Sequence, residues 1–85
     1  MDYILIVGKT AYPVGVSPLS IGRSTDNDIV LPFPYISRRH AIVWTDGARL
    51  YVRDANSANG TWVNGRRLQG DAVLSADDHL RLGRV

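Results

Sequence analysis

Cysteine is absent from the sequence, which closes off both a disulfide framework and a thiolate metal site. Glutamate is absent too: all eight acids are Asp, and nine of the ten bases are Arg, with Lys9 the single lysine. Glu, Lys and Gln are strong helix formers, so their scarcity counts against helices. Long apolar runs are also missing. The longest, Tyr3-Ile4-Leu5-Ile6-Val7, is far too short to span a bilayer, and Asp2 before it denies it the basic start of a secretory signal. A soluble, cytoplasmic domain without membrane contact is the expectation. The net charge is only +2 and no basic run exceeds two residues, which argues against a nucleic-acid partner.

What is present is ordinary globular material, 45% apolar and 21% charged over 85 residues. That length suits one domain, residues 1–85, with one modest core. The apolar stretches are short. Strands are expected over Ile4 to Val7, Tyr12 to Val16, Leu19 to Ile21, Ile29 to Leu31, Ala41 to Thr45, Arg49 to Arg53, Thr61 to Val63, Ala72 to Leu74 and His79 to Leu82. Pro32-Phe33-Pro34 breaks the chain into a loop, and Asp46-Gly47 reads as a hairpin turn. Asn59-Gly60 and Asn64-Gly65 both favour positive φ. No segment keeps a helical apolar period. The fold class is all-β, a β-sandwich.

Three stretches carry chemistry. Gly22-Arg23 ends an apolar strand, so Arg23 leaves the sheet at a fixed place and Gly22 permits close backbone approach. Ser37-Arg38-Arg39-His40 packs a hydroxyl, two guanidinium groups and an imidazole into the mouth of the next strand, a set suited to phosphate or carboxylate oxygens. A hydrolase is not indicated: Ser37 lies in no nucleophile-elbow pattern, and no acid stands near in sequence to orient His40. His40 instead reads as a buried brace, one ring nitrogen bonded to loop backbone, and His79 as a surface strand residue. Asp54-Ala55-Asn56-Ser57-Ala58-Asn59-Gly60 superficially suggests a calcium loop, but Ala58, Asn59 and Gly65 fall where an oxygen ligand, a glycine and a glutamate are required. No metal or cofactor is expected. The Asn59 carboxamide can donate and accept together, which suits the main chain of an extended peptide.

Taken together, Gly22-Arg23, Ser37-Arg38-Arg39-His40, Ser57-Ala58-Asn59-Gly60-Thr61 and Asn64-Gly65 resemble the forkhead-associated (FHA) domain family, and Asp78 to Gly83 looks like the family's penultimate strand. The resemblance covers nearly the whole chain. It implies a β-sandwich of about ten to eleven short strands whose loops at one end bind phosphothreonine in an extended peptide, in Ser/Thr-kinase signalling. No enzymatic activity is implied. Carried over, Arg23 and Ser37 would hold the phosphate oxygens, with Arg38 as a further contact. Asn59 would grip the peptide main chain, flanked by Ser57 and Ala58, while Gly22, His40 and Gly60 would support the loops. Two departures stand out. Ala58 occupies a place where the family commonly has Thr; its backbone amide survives, and Ser57 is the candidate to replace the hydroxyl. The family's last strand, which pairs back towards the first, is expected to be missing. The chain then reads as an excerpt of a larger protein with an exposed Ile4–Val7 edge, an association hazard. The alternative function is an FHA-like scaffold that associates through its sandwich faces without phosphate.

Overall fold

The computed structural model describes residues 3–7 and 9–83, and all of the regular structure among them is β. Ten short strands are formed. The largest sheet contains β3 (Leu19–Gly22), β4 (Ile29–Val30), β5 (Ala41–Thr45), β6 (Leu50–Asp54) and β9 (Ala72–Leu74), ordered β4-β3-β5-β6-β9. A second sheet has the order β10-β7-β8, from β7 (Thr61–Val63), β8 (Arg66–Arg67) and β10 (Leu80–Leu82). The remaining pair is the hairpin of β1 (Tyr3–Val7) and β2 (Thr10–Val14).

The core follows the period-two alternation of the central strands. Ala41, Val43 and Thr45 point inward from β5, and Leu50 and Val52 from β6, while Ile42, Trp44 and Tyr51 are only half-buried. Ile21, Ile29, Val14 and Leu74 complete the buried cluster, and Tyr3, Leu5, Val63, Leu80 and Leu82 pack against it from the smaller sheets. Each fully buried Ile or Val contributes roughly 1.5–3 kcal/mol. Two stacked layers around that cluster make the expected sandwich.

Register decides where the loops emerge. Ile21 opposes Ala41, and Ala41 opposes Asp54, so the end of β3, the start of β5 and the end of β6 lie in one row across the sheet. The loops leaving those strands share one end of the molecule. None of the expected strands was misplaced by more than two residues at either end, but β8 was not anticipated: Arg66-Arg67 has no apolar signal. It exists because Asn64 (φ 51) and Gly65 (φ 82) form a tight hairpin turn that returns the chain onto β7. At the other Asn-Gly pair only Gly60 has positive φ, at 88, so Asn59 itself is not in the left-handed region. Pairing among the described residues leaves β1 joined to β2 alone, and Ile4 and Ile6 are exposed.

No helix among the described residues is long and apolar enough to cross a membrane.

Candidate functional site

Gly22 closes the first loop onto the second. A Cβ there would lie 2.1 Å from the Arg38 carbonyl oxygen, so only glycine admits the approach. Across that contact the Arg23 N–H donates to the Ser37 carbonyl at 2.9 Å, the Ser24 N–H to the Arg38 carbonyl at 3.2 Å, and the His40 N–H to the Ile21 carbonyl at 2.8 Å. The buried Asn27 side chain adds a clamp, its Nδ2 donating to the Ser24 and Arg38 carbonyls at 2.8 and 2.7 Å. Arg23 is exposed, yet its Nε–H is tied to the Ile36 carbonyl at 3.0 Å. The guanidinium is therefore aimed, with both terminal nitrogens left to a ligand.

His40 joins the loops from beneath. Its side chain is fully buried; Nδ1 accepts the Ser37 N–H at 3.1 Å, and Nε2 lies 2.7 Å from the Gly60 carbonyl oxygen. Since Nδ1 accepts, Nε2 carries the proton and donates. One bonded nitrogen was expected and both are used, so a single ring couples the Ser37 turn to the Asn59 loop. The His40 carbonyl also accepts the Ala55 N–H at 2.9 Å.

The third loop is organised by Asp54, which sequence reasoning did not single out. Its Oδ1 accepts the hydroxyls of Ser57 and Thr61 at 2.5 and 2.7 Å, and its Oδ2 accepts the Ser57 N–H at 3.0 Å. Burial pushes the Asp54 carboxyl up, but the hydrogen bonds from Ser57 and Thr61 outweigh it and leave it below the usual carboxylate range. The Asp-x-x-Ser spacing was the available signal, since a loop carboxylate commonly captures the N–H three residues on. Asn27 carried no comparable signal.

This arrangement corrects the expectation for Ser57. It is buried, and its hydroxyl donates to Asp54 while accepting the Gly60 N–H at 3.0 Å. Ser57 is a loop fastener and cannot replace the hydroxyl that Ala58 lacks. The Ala58 amide is engaged as well, donating to Ser37 Oγ at 3.0 Å. That bond has a useful consequence: Ser37 Oγ takes its hydrogen bond from Ala58, so its own proton remains to be donated outward. Asn59 is exposed and donates through Nδ2 to the Tyr35 carbonyl at 2.9 Å, which fixes the carboxamide while leaving Oδ1 and one N–H for another partner.

Arg23, Ser37, Ala58 and Asn59 are thus brought together through direct hydrogen bonds between their loops. Arg38 stands exposed beside them, and its guanidinium has no acidic partner among the described residues. Arg39 differs, pairing with Asp26 at 3.1 Å. The Ser24 hydroxyl, then the Arg39 charge, hold the Asp26 carboxyl below its ordinary range. The net result is a rigid rim with two uncompensated guanidinium groups, one hydroxyl proton and one carboxamide facing outward.

Comparison with known proteins agrees with this geometry. The transcriptional regulatory protein EmbR of Mycobacterium tuberculosis is 35% identical over 77 residues, covering 91% of this chain and 20% of that protein. A solved structure of M. tuberculosis EmbR in complex with a low-affinity phosphopeptide superposes with a TM-score of 0.81 at 34% identity, over 94% of this chain and 21% of that one. Another, from a structural and functional analysis of phosphothreonine-dependent FHA domain interactions, gives a TM-score of 0.82 at 32% identity, over 96% of this chain and 84% of that one. The FHA domain family profile matches residues 19–83, and with the described fold and loop arrangement this chain belongs to the FHA domain family.

Proposed function

We propose that this domain is a phosphothreonine-peptide-binding module, acting in Ser/Thr-kinase signalling in the cytoplasm. The observation that carries the reading is the aimed Arg23 guanidinium beside a Ser37 hydroxyl whose acceptor side is already occupied. Arg23, Ser37 and Arg38 take the phosphate oxygens. Asn59 holds the peptide main chain through its free Oδ1 and N–H. Its neighbour Ala58 serves the site through its amide, by orienting Ser37. Gly22, His40 and Gly60 hold the loops in register, and Ser57 does so from inside. Complexes of related FHA domains with phosphopeptides support the same assignment.

Charge-assisted hydrogen bonds contribute roughly 1.5–3 kcal/mol each. Three or four of them, set against at least about 4 kcal/mol for association and ordering, allow roughly micromolar affinity, near −8 kcal/mol. That strength suits reversible reading of a kinase product. The rim needs no folding on binding, since its loops are already fastened to one another.

Calorimetric titration with a phosphothreonine peptide, its phosphoserine counterpart and the unphosphorylated peptide tests the proposal. Micromolar binding of the first, weaker binding of the second and none of the third are expected. Equal affinity for all three would overturn it in favour of association through the sandwich faces, the second reading, which the exposed Ile4 and Ile6 on β1 favour.

A further inference from the structure

We propose that Arg67 and Arg81, held on either side of Trp62, form a second anion subsite that reads an acidic or phosphorylated side chain flanking the phosphothreonine. The inference rests on the phosphopeptide reading above and adds a sequence preference to it.

The three residues form one row across the small sheet, since Trp62 opposes Arg67 on one neighbouring strand and Arg81 on the other. Directly opposed residues share a face. The Arg81 guanidinium lies 4.7 Å from the indole centre and that of Arg67 6.0 Å from it. No acidic side chain pairs with either among the described residues. Two like charges are thus gathered around one ring, stabilised by its electron-rich faces but without a counter-ion. An arriving carboxylate or phosphate would relieve their repulsion and accept their N–H groups.

The row is also joined to the loop that grips the peptide. Trp62 donates its indole N–H to the Asn59 carbonyl at 3.1 Å. The Arg67 side chain lies directly on Gly60, where a Cβ would come within 2.6 Å of its Nε. A peptide held by the Asn59 carboxamide and continuing in an extended conformation therefore leaves the loop onto a strip with a guanidinium on each side of the indole. Carboxylate and phosphate are the two side-chain chemistries that fit such a strip.

The test is a set of phosphothreonine peptides with alanine flanks, in which aspartate or a second phosphothreonine replaces each flanking residue in turn. Binding is measured to the wild-type domain, to Arg81→Gln and to Arg67→Gln/Arg81→Gln. The expected result is an affinity about threefold to tenfold higher for an anionic residue on one side of the phosphothreonine, the scale of one or two exposed ion pairs. The double variant loses that gain while its affinity for the alanine-flanked peptide is unchanged. Since Arg67 touches Gly60, Arg81→Gln serves as the variant that leaves the loop alone, and it must lose a measurable part of the gain. A gain with both anions assigns a general anion subsite, and a gain with the second phosphate alone assigns a phosphate subsite. No gain at any position, an equal gain at every position, or a gain retained in both variants overturns the inference. If the alanine-flanked phosphothreonine peptide itself does not bind, the phosphopeptide reading fails and the subsite falls with it, a result distinct from the others.

Discussion

Trp44 and Trp62 each have arginine stacked on the indole, and the two settings differ in what the guanidinium is free to do. On the outer face of the large sheet, Arg53 lies 5.2 Å from the Trp44 ring and is gripped by both carboxylate oxygens of Asp71, at 2.8 and 2.9 Å. Tyr51 stacks on Trp44 from the neighbouring strand, completing a neutralised row. On the small sheet, Arg67 and Arg81 flank Trp62 with no such acid among the described residues. Stacking on an aromatic ring is common to both. The counter-ion, not the stacking, separates an arginine that closes a surface from one that waits for a ligand. The same contrast sits within one loop, where Arg39 is paired with Asp26 and Arg38 has no acidic partner among the described residues. Among the described residues, Arg23 and Arg38 at the loop rim and Arg67 and Arg81 on the small sheet have no acidic partner, a property that Arg49 shares at the β5–β6 turn away from the rim.

The largest effect that could break this comparison is at Arg23. Arg23→Ala removes the aimed guanidinium and with it two charge-assisted bonds of roughly 1.5–3 kcal/mol each, so binding of a phosphothreonine peptide should weaken by about a hundredfold or more. Thermal unfolding should shift by only a few degrees, because the exposed side chain gives up a single hydrogen bond, to the Ile36 carbonyl, worth about 1 kcal/mol. Arg53→Ala on the compensated face is the control and should leave the dissociation constant where it was. Equal losses in the two variants would dissolve the distinction.

His40→Ala should act on both properties. It leaves the Ser37 N–H without its acceptor and opens a buried void, a cost of about 2–4 kcal/mol. For a domain of this size that lowers the melting temperature by about 10 °C or more, and binding falls because the Ser37 turn loses its brace. Lost binding at wild-type stability would instead make His40 a ligand contact.

A smaller effect is expected at Asp54, the carboxylate that fastens the third loop. Asp54 is held below its ordinary range in the folded state, so the stability it contributes is fully present above the unfolded value of about 3.9 and drains away as pH falls through the lower folded value. The melting-temperature gap between wild type and Asp54→Asn should therefore be widest near neutral pH and should narrow below about pH 4. A gap independent of pH would mean that Asp54 acts only through its shape.

The smallest change is a gain. Ala58→Thr places a hydroxyl at the exposed position beside Ser37, and should tighten phosphopeptide binding by about 1 kcal/mol. Weaker binding would indicate that the added side chain disturbs the bond from the Ala58 amide to Ser37 Oγ.

Much of this was legible in the sequence, for physical reasons. Strand β5 shows as an unbroken apolar, β-prone run from Ala41 to Trp44, and β6 follows the Asp46-Gly47 turn with Leu50 and Val52 two apart, as one face of a pleated strand requires. Gly22, Ser37, His40 and Asn59 declared themselves because their chemistry stands at the ends of such strands. What escaped depends on contacts between residues without periodicity. Ser57 and Ala58 are adjacent in a polar loop, and only the Asp54-x-x-Ser57 spacing hints that one turns inward while the other stays exposed. Arg66-Arg67 has the composition of a solvated loop, and only the turn at Asn64-Gly65 makes it a strand. Asn27 clamps a carbonyl eleven residues away, a partner that no local rule supplies.

The most direct measurement follows backbone amide shifts as a phosphothreonine peptide is titrated into the domain. The predicted outcome is saturable shifts at Arg23, Ser37, Ala58 and Asn59, absent with the unphosphorylated peptide, while Trp44, Tyr51 and Arg53 stay still. Shifts centred on the Trp44 face, or the same shifts without phosphate, would contradict the account.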